Sequence, residues 1–132
     1  MIERRSKERS RPCLERVLIV DDNPDDLMKL KKTLADTVRV IDTCSDLDTC
    51  KTLIRRNKYE FVFLDVVLPD GNGFTEKGYL QGLAGDDTTI LLMSRYGSVF
   101  DKNEILDRLN STIVHKELMS IRKHLSEIRG YL

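Results

Sequence analysis

An α/β fold, a parallel sheet with helices wound on both faces, is what this sequence predicts, and three observations predict it. Short apolar runs rich in valine, isoleucine and leucine recur along the chain. Stretches with apolar residues three and four apart, the helical spacing, lie between them. The runs are continuous rather than alternating, as in strands buried on both sides between two helical layers.

The run Phe61-Val62-Phe63-Leu64 stops at Asp65, and Val66-Val67-Leu68-Pro69-Asp70-Gly71-Asn72-Gly73-Phe74 follows. A carboxylate inside such a strand would be costly to bury, so Asp65 belongs at its carboxyl end. In open α/β sheets that edge is where ligands and chemistry gather.

The chain has 132 residues, enough for one domain with its own core. It is 40% apolar and 33% charged, as in globular proteins. Lys plus Arg and Asp plus Glu both number 22, so no strong field invites nucleic acid. No apolar run approaches the ~20 residues that span a bilayer, and no signal-peptide core follows Met1. A cytoplasmic protein without a membrane partner is expected. Cys13, Cys44 and Cys50 are odd in number and lack metal-ligand spacing; Cys44 and Cys50 read as small buried residues rather than a redox pair.

Residues 1–15 read as a flexible basic tail, or alternatively as a docking segment for an acidic partner, and 16–132 as the domain. Val17-Leu18-Ile19-Val20 is the first strand, ending in Asp21-Asp22-Asn23-Pro24. Pro24 suits a first helical turn, Asp25 and Asp26 suit its dipole, and Leu27, Leu30 and Leu34 extend a helix over about 24–35. Val38–Ile41 is the second strand. Ser45 or Asp46 caps a helix carrying Leu47, Cys50, Leu53 and Ile54. The central strand spans 59–64, and a third helix, weakened by Gly78 and Gly82, starts near Asn72. Thr88–Met93 is the fourth strand, ending at Ser94, with a fourth helix over 98–109. Thr112-Ile113-Val114-His115 reads as the fifth strand, ending at Lys116, before a last helix with Leu118, Ile121, Leu125 and Ile128 on one face. Strands alternating with helices are parallel, with right-handed crossovers.

At the carboxyl ends of these strands stand Asp21, Asp22, Asp65, Ser94 and Lys116. Each has an ordinary reading alone: helix-initiating acids, an Asx turn, a turn serine, a solvated lysine. Together they describe something specific. Clustered carboxylates repel unless a cation joins them, and Mg²⁺ suits hard oxygen ligands completed by phosphate oxygens. A carboxylate nucleophile, a metal, a lysine and a hydroxyl describe phosphoryl transfer onto an aspartate.

The sequence resembles the receiver domain of two-component response regulators over about residues 15–130. VLIVDDNP, FVFLDVVLPDGNGF, Ser94 in LLMSRYG and Lys116 in IVHKE carry the likeness. The resemblance implies a flavodoxin-like, doubly wound five-stranded parallel sheet of order 2-1-3-4-5 with five helices. It implies that Asp65 takes a phosphoryl group from a sensor histidine kinase or phosphotransfer protein. Asp22 and Asp65 would hold Mg²⁺ directly, Asp21 through water, and Val67 through its carbonyl. Lys116 would pair with Asp65 and then with the phosphoryl oxygen. Ser94 would swing to that oxygen, changing the surface of helix four, strand five and helix five. The chain would phosphorylate and dephosphorylate itself without turning over a separate substrate. A downstream effector or fused output domain would read the change, and a homodimer through that surface is conceivable.

Three departures from the family pattern stand out. Glu117 replaces the proline after the lysine, which predicts a trans peptide, since a cis bond without proline costs about 2.5–4 kcal/mol. Arg95 replaces a small residue after the hydroxyl, gating the site, binding the phosphoryl oxygens or pointing away. Ile113 replaces an aromatic switch residue on strand five; Tyr96 either takes over part of that role or merely caps helix four. His115 reads as a packed or surface residue. The departures motivate an alternative: a degenerate receiver acting as a phosphorylation-independent interaction module. A nucleotide-binding flavodoxin-like protein or small-molecule hydrolase lacks support, since neither a G-x-G-x-x-G nor a P-loop follows the first strand.

Overall fold

The computed structural model describes residues 14–94, 100–110 and 113–128. Strand β1 (Leu14–Val20) lies between β2 (Val38–Cys44) and β3 (Phe61–Asp65), parallel to both. β3 pairs in parallel with β6 (Thr89–Ser94), and β6 with the two-residue β7 (Phe100–Asp101). The sheet order is β2-β1-β3-β6-β7; a small hairpin of β4 (Val67–Leu68) and β5 (Gly71–Asn72) stands apart. Counting only sheet strands, this is the predicted 2-1-3-4-5 arrangement, with five helices among the described residues. Val17–Val20 and Phe61–Leu64 are fully buried, as the continuous apolar runs require.

The helices are α1 (Pro24–Leu34), α2 (Leu47–Arg56), α3 (Gly73–Ala84), α4 (Lys102–Asn110) and α5 (Val114–Glu127). The first three start where the sequence places them, for visible reasons. The Asn23 side chain accepts the Asp25 and Asp26 N–H groups, with Pro24 at the first position. Asp46, rather than Ser45, caps α2 through the Thr49 N–H, and Asn72 caps α3 through Phe74 and Thr75. Asp70 adds a second acidic cap to α2, its carboxylate accepting the Leu47 N–H at 2.8 Å and the Asp48 N–H at 3.0 Å. Cys44 and Cys50 are buried.

The tail boundary needs correction. Leu14 and Glu15 belong to β1, with Leu14 buried and paired to Val38; the rest of the expected tail lies outside the described residues.

The carboxyl-terminal third departs further. The fifth sheet strand is Phe100–Asp101, not Thr112–His115. The helix expected over 98–109 follows that strand, as α4. Only residues 95–99 connect β6 to β7. A parallel crossover normally takes a dozen residues or more. Here β7 pairs only with the end of β6, Phe100 against Met93 and Asp101 against Ser94.

Ile113, His115 and Lys116 belong to the start of α5. That helix buries Leu118, Ile121 and Leu125. Its Arg122 ties it to the amino-terminal edge of the sheet, donating to Thr89 Oγ1 at 2.8 Å and to the Glu60 carbonyl at 3.1 Å. The guanidinium also lies over the Phe61 ring, 4.9 Å from its centroid. Arg108 of α4 pairs with Glu117 of α5.

Candidate functional site

Asp21 leaves β1 as its N–H donates to the Cys44 carbonyl at 3.0 Å, and its Oδ1 accepts the Asn23 N–H at 2.9 Å. These bonds fix a buried carboxylate at the carboxyl edge of the sheet. Asp22 beside it is exposed. Asp65 closes β3, and its Oδ1 accepts the Val67 N–H at 3.2 Å. Gly73 comes so close behind it that a Cβ there would stand 2.5 Å from the Asp65 carbonyl oxygen. Ser94 ends β6 and is buried.

Carboxylate oxygens of Asp21, Asp22 and Asp65 all lie within 4.8 Å of one another. A cavity of ≈ 220 Å³ opens beside them, lined by Asp22, Asn23, Asp26, Asp65, Val67, Ser94 and Lys102. The structure thus brings together Asp21, Asp22, Asp65, Val67 and Ser94.

Lys116 is the exception. It is exposed in the first turn of α5 and lines no part of this cavity. The cation at the end of the last strand is Lys102, the residue after β7. Its Nζ lies 2.8 Å from Asp21 Oδ2, 3.2 Å from Asp26 Oδ2 and 3.2 Å from Asp65 Oδ2. Asn103 follows it, and no cis peptide occurs among the described residues. Glu117, still next to Lys116, and Ile113 therefore line no part of this cavity. Arg95 and Tyr96 lie outside the described residues.

Three residues lining the cavity were missed from sequence: Asn23, the helix cap, and the ion pair of Asp26 and Lys102. Asp26, read as a dipole-compensating acid, is buried against Lys102. Lys102 itself had a signal: Asp101-x-x-Glu104 before Ile105, Leu106 and Leu109 is a helix-start pattern, and Asp101 Oδ1 accepts the Glu104 N–H at 3.1 Å.

The electrostatics follow from one ammonium facing several acids. Burial raises the Asp65 pKa above its ordinary value; Lys102 opposes this and the Asp21 charge adds to it. Burial alone would lower the Lys102 pKa, but the bond to Asp21 and the charges of Asp21 and Asp65 reverse the effect and raise it. The raised pKa keeps the lysine charged, and its single positive charge faces three carboxyl groups. Hard oxygen donors in excess of cations, beside an open cavity, fit a divalent ion such as Mg²⁺.

The sequence model of the response regulator receiver domain matches residues 17–127. This chain belongs to that family. As a receiver domain it is similar to the two-component response regulator ORR21 of Oryza sativa subsp. indica, with 32% identity over 120 residues, 86% of this chain and 17% of that protein. It is 31% identical over 90 residues to the regulatory protein VanRB of Enterococcus faecalis, covering 68% of this chain and 39% of that one. The two-component response regulator ARR2 of Arabidopsis thaliana is 37% identical over 65 residues, 48% of this chain and 10% of that protein. The receiver domain thus spans well under half the length of these curated relatives.

Solved structures share the fold. A two-component response regulator from Clostridium difficile superposes with a TM-score of 0.61 at 22% identity, covering 88% of this chain and 99% of that one. The receiver domain of the histidine kinase CKI1 from Arabidopsis thaliana does so with a TM-score of 0.60 at 17% identity, covering 80% and 97%. Among the described residues of this receiver domain, no helix is long and apolar enough to cross a membrane.

Proposed function

We propose that this receiver domain is switched by phosphorylation of Asp65. The observation that carries the reading is the conjunction at one sheet edge: a carboxylate at the cavity mouth, Lys102 at 3.2 Å, and Asp21 and Asp22 within metal-sharing distance. The CKI1 receiver domain, of the same fold, was solved with Mg²⁺ and BeF₃⁻.

The donor is a phosphohistidine of a sensor kinase or phosphotransfer protein. An Asp65 Oδ attacks phosphorus, the P–N bond breaks, and its electron pair stays on the imidazole nitrogen. Asp22 and Asp65 would hold Mg²⁺, with the Val67 carbonyl and Asp21 completing the protein's share. When bound, the ion neutralises the acids and the incoming phosphoryl oxygens. Lys102 shifts from the Asp65 carboxylate to a phosphoryl oxygen, and the Ser94 hydroxyl donates to another. Ser94 is paired in register with Asp101, one residue before Lys102. Movement at either therefore reaches the start of α4, the surface a partner or output domain reads. The protein modifies only itself, and its place is the cytoplasm.

A phosphate-independent role loses two of its three motives, because Glu117 and Ile113 are not at the site. The reading is tested by incubating the chain with a small acyl phosphate, with Mg²⁺ or with a chelator, and weighing the intact protein. One added phosphoryl group that requires the metal is expected. No addition under either condition contradicts it.

A further inference from the structure

Asp26 is a buried acid for which the phosphorylation chemistry above has no use. It comes from the first turn of α1, 76 residues from Lys102, and meets the ammonium at 3.2 Å. Lys102 has three N–H donors, and three carboxylates stand around it: Asp21, Asp26 and Asp65. Two of these, Asp21 and Asp65, also belong to the group able to share a metal; Asp26 does not. A metal and the lysine therefore draw on the same two acids. Of the lysine's three described carboxylate partners, Asp26 alone lies outside the metal-sharing group.

We infer that Asp26 is a positioning residue: it holds Lys102 in the cavity while Asp21 and Asp65 are given over to Mg²⁺. The inference rests on the phosphorylation reading and deepens it. Without Asp26, the described partners left to the ammonium are two of the metal's own ligands, and it opposes the ion. The loss of a nearby negative charge acts in the same direction. Both effects weaken Mg²⁺ binding. Asp25, one residue earlier, supplies a comparison: it is exposed and lines no part of the cavity. Neutralising it changes the same helix and the same net charge without touching Lys102.

The test is a Mg²⁺ titration followed by amide NMR shifts, on the wild type and on Asp26→Asn, Asp26→Glu and Asp25→Asn. The expected result is roughly tenfold weaker binding for Asp26→Asn. Asp26→Glu, which restores the charge, recovers most of the loss, and Asp25→Asn stays close to wild type. Where the asparagine variant does not fold, Asp26→Ser, also uncharged and smaller, takes its place with the same roughly tenfold loss expected. A wild type that binds Mg²⁺ and an Asp26→Asn that binds it equally well overturn this inference alone. Equal losses in Asp26→Asn and Asp25→Asn do the same, since they leave only general charge. A wild type that binds no Mg²⁺ overturns the phosphorylation reading and this inference with it.

Discussion

Lys102 Nζ and Asp65 Oδ2 lie 3.2 Å apart in a buried contact, although 37 residues separate them in sequence. The pairing joins the ends of β3 and β7 across the intervening β6. It gives the cavity its only described lysine, and it makes Lys102 rather than Lys116 the residue to test. Lys102→Ala should slow phosphorylation by acyl phosphate roughly 100-fold or more, in the range of a lost donor to a transferring oxyanion. Lys116→Ala should leave the rate unchanged. Mass spectrometry of timed samples reads both.

The same substitution bears on stability. Lys102→Ala leaves buried acids without their cation, which costs about 3–5 kcal/mol in other buried ion pairs. Urea unfolding should show a loss of that order in a metal-free buffer. Added Mg²⁺ should recover part of it, since a ligand of the folded state stabilises that state.

Gly73 is held to glycine by the backbone behind Asp65. Alanine there would bring Cβ to 2.5 Å from the Asp65 carbonyl oxygen, main-chain atoms that cannot swing aside. Gly73→Ala should cost about 1–3 kcal/mol in urea unfolding and lower the phosphorylation rate, because the displaced atoms carry the acceptor. Gly78→Ala meets no atom within 4 Å and should be harmless or slightly stabilising.

Asp70 makes a pH-dependent contribution. The N–H bonds from Leu47 and Asp48 lower its pKa below the ordinary 3.8. A lowered folded-state pKa gives stability that is present above the unfolded value and lost as pH falls through the folded one. Asp70→Ala should therefore be less stable than wild type at neutral pH, and the two should converge below that range. Thermal unfolding across a pH series checks the convergence.

Arg122 fastens α5 to the sheet. Arg122→Ala removes its bond to Thr89 Oγ1 and its contact with the Phe61 ring, whereas the Glu60 carbonyl keeps the Thr89 N–H at 2.9 Å. A loss of about 1–3 kcal/mol is expected in urea unfolding, with phosphorylation intact where the protein remains folded.

Most of the sheet was legible because β1, β3 and β6 are long apolar runs that end in polar residues at one edge. Helix starts were legible from Pro24 after Asn23, from Asp46 as one of two candidate caps, and from the turn at Asn72, although the capping by Asn23 and Asn72 shows only in the structure. The last third was not. β7 has two residues, too few for any periodicity to register. Thr112–His115 looked like a strand because a short β-branched run before a lysine satisfies both templates. Val114 actually opens the stripe continued by Leu118, Ile121 and Leu125. The error exchanged one lysine for another and left the acids untouched. Asp26 was hidden for a different reason: its partner is 76 residues away, and locally it resembles any acid at a helix start.

The most direct measurement is the intact mass of the wild type and of Asp65→Asn after acyl phosphate and Mg²⁺, side by side. One phosphoryl group on the wild type and none on the variant is the predicted result. Equal labelling of the two proteins would contradict the assignment of Asp65 as the acceptor.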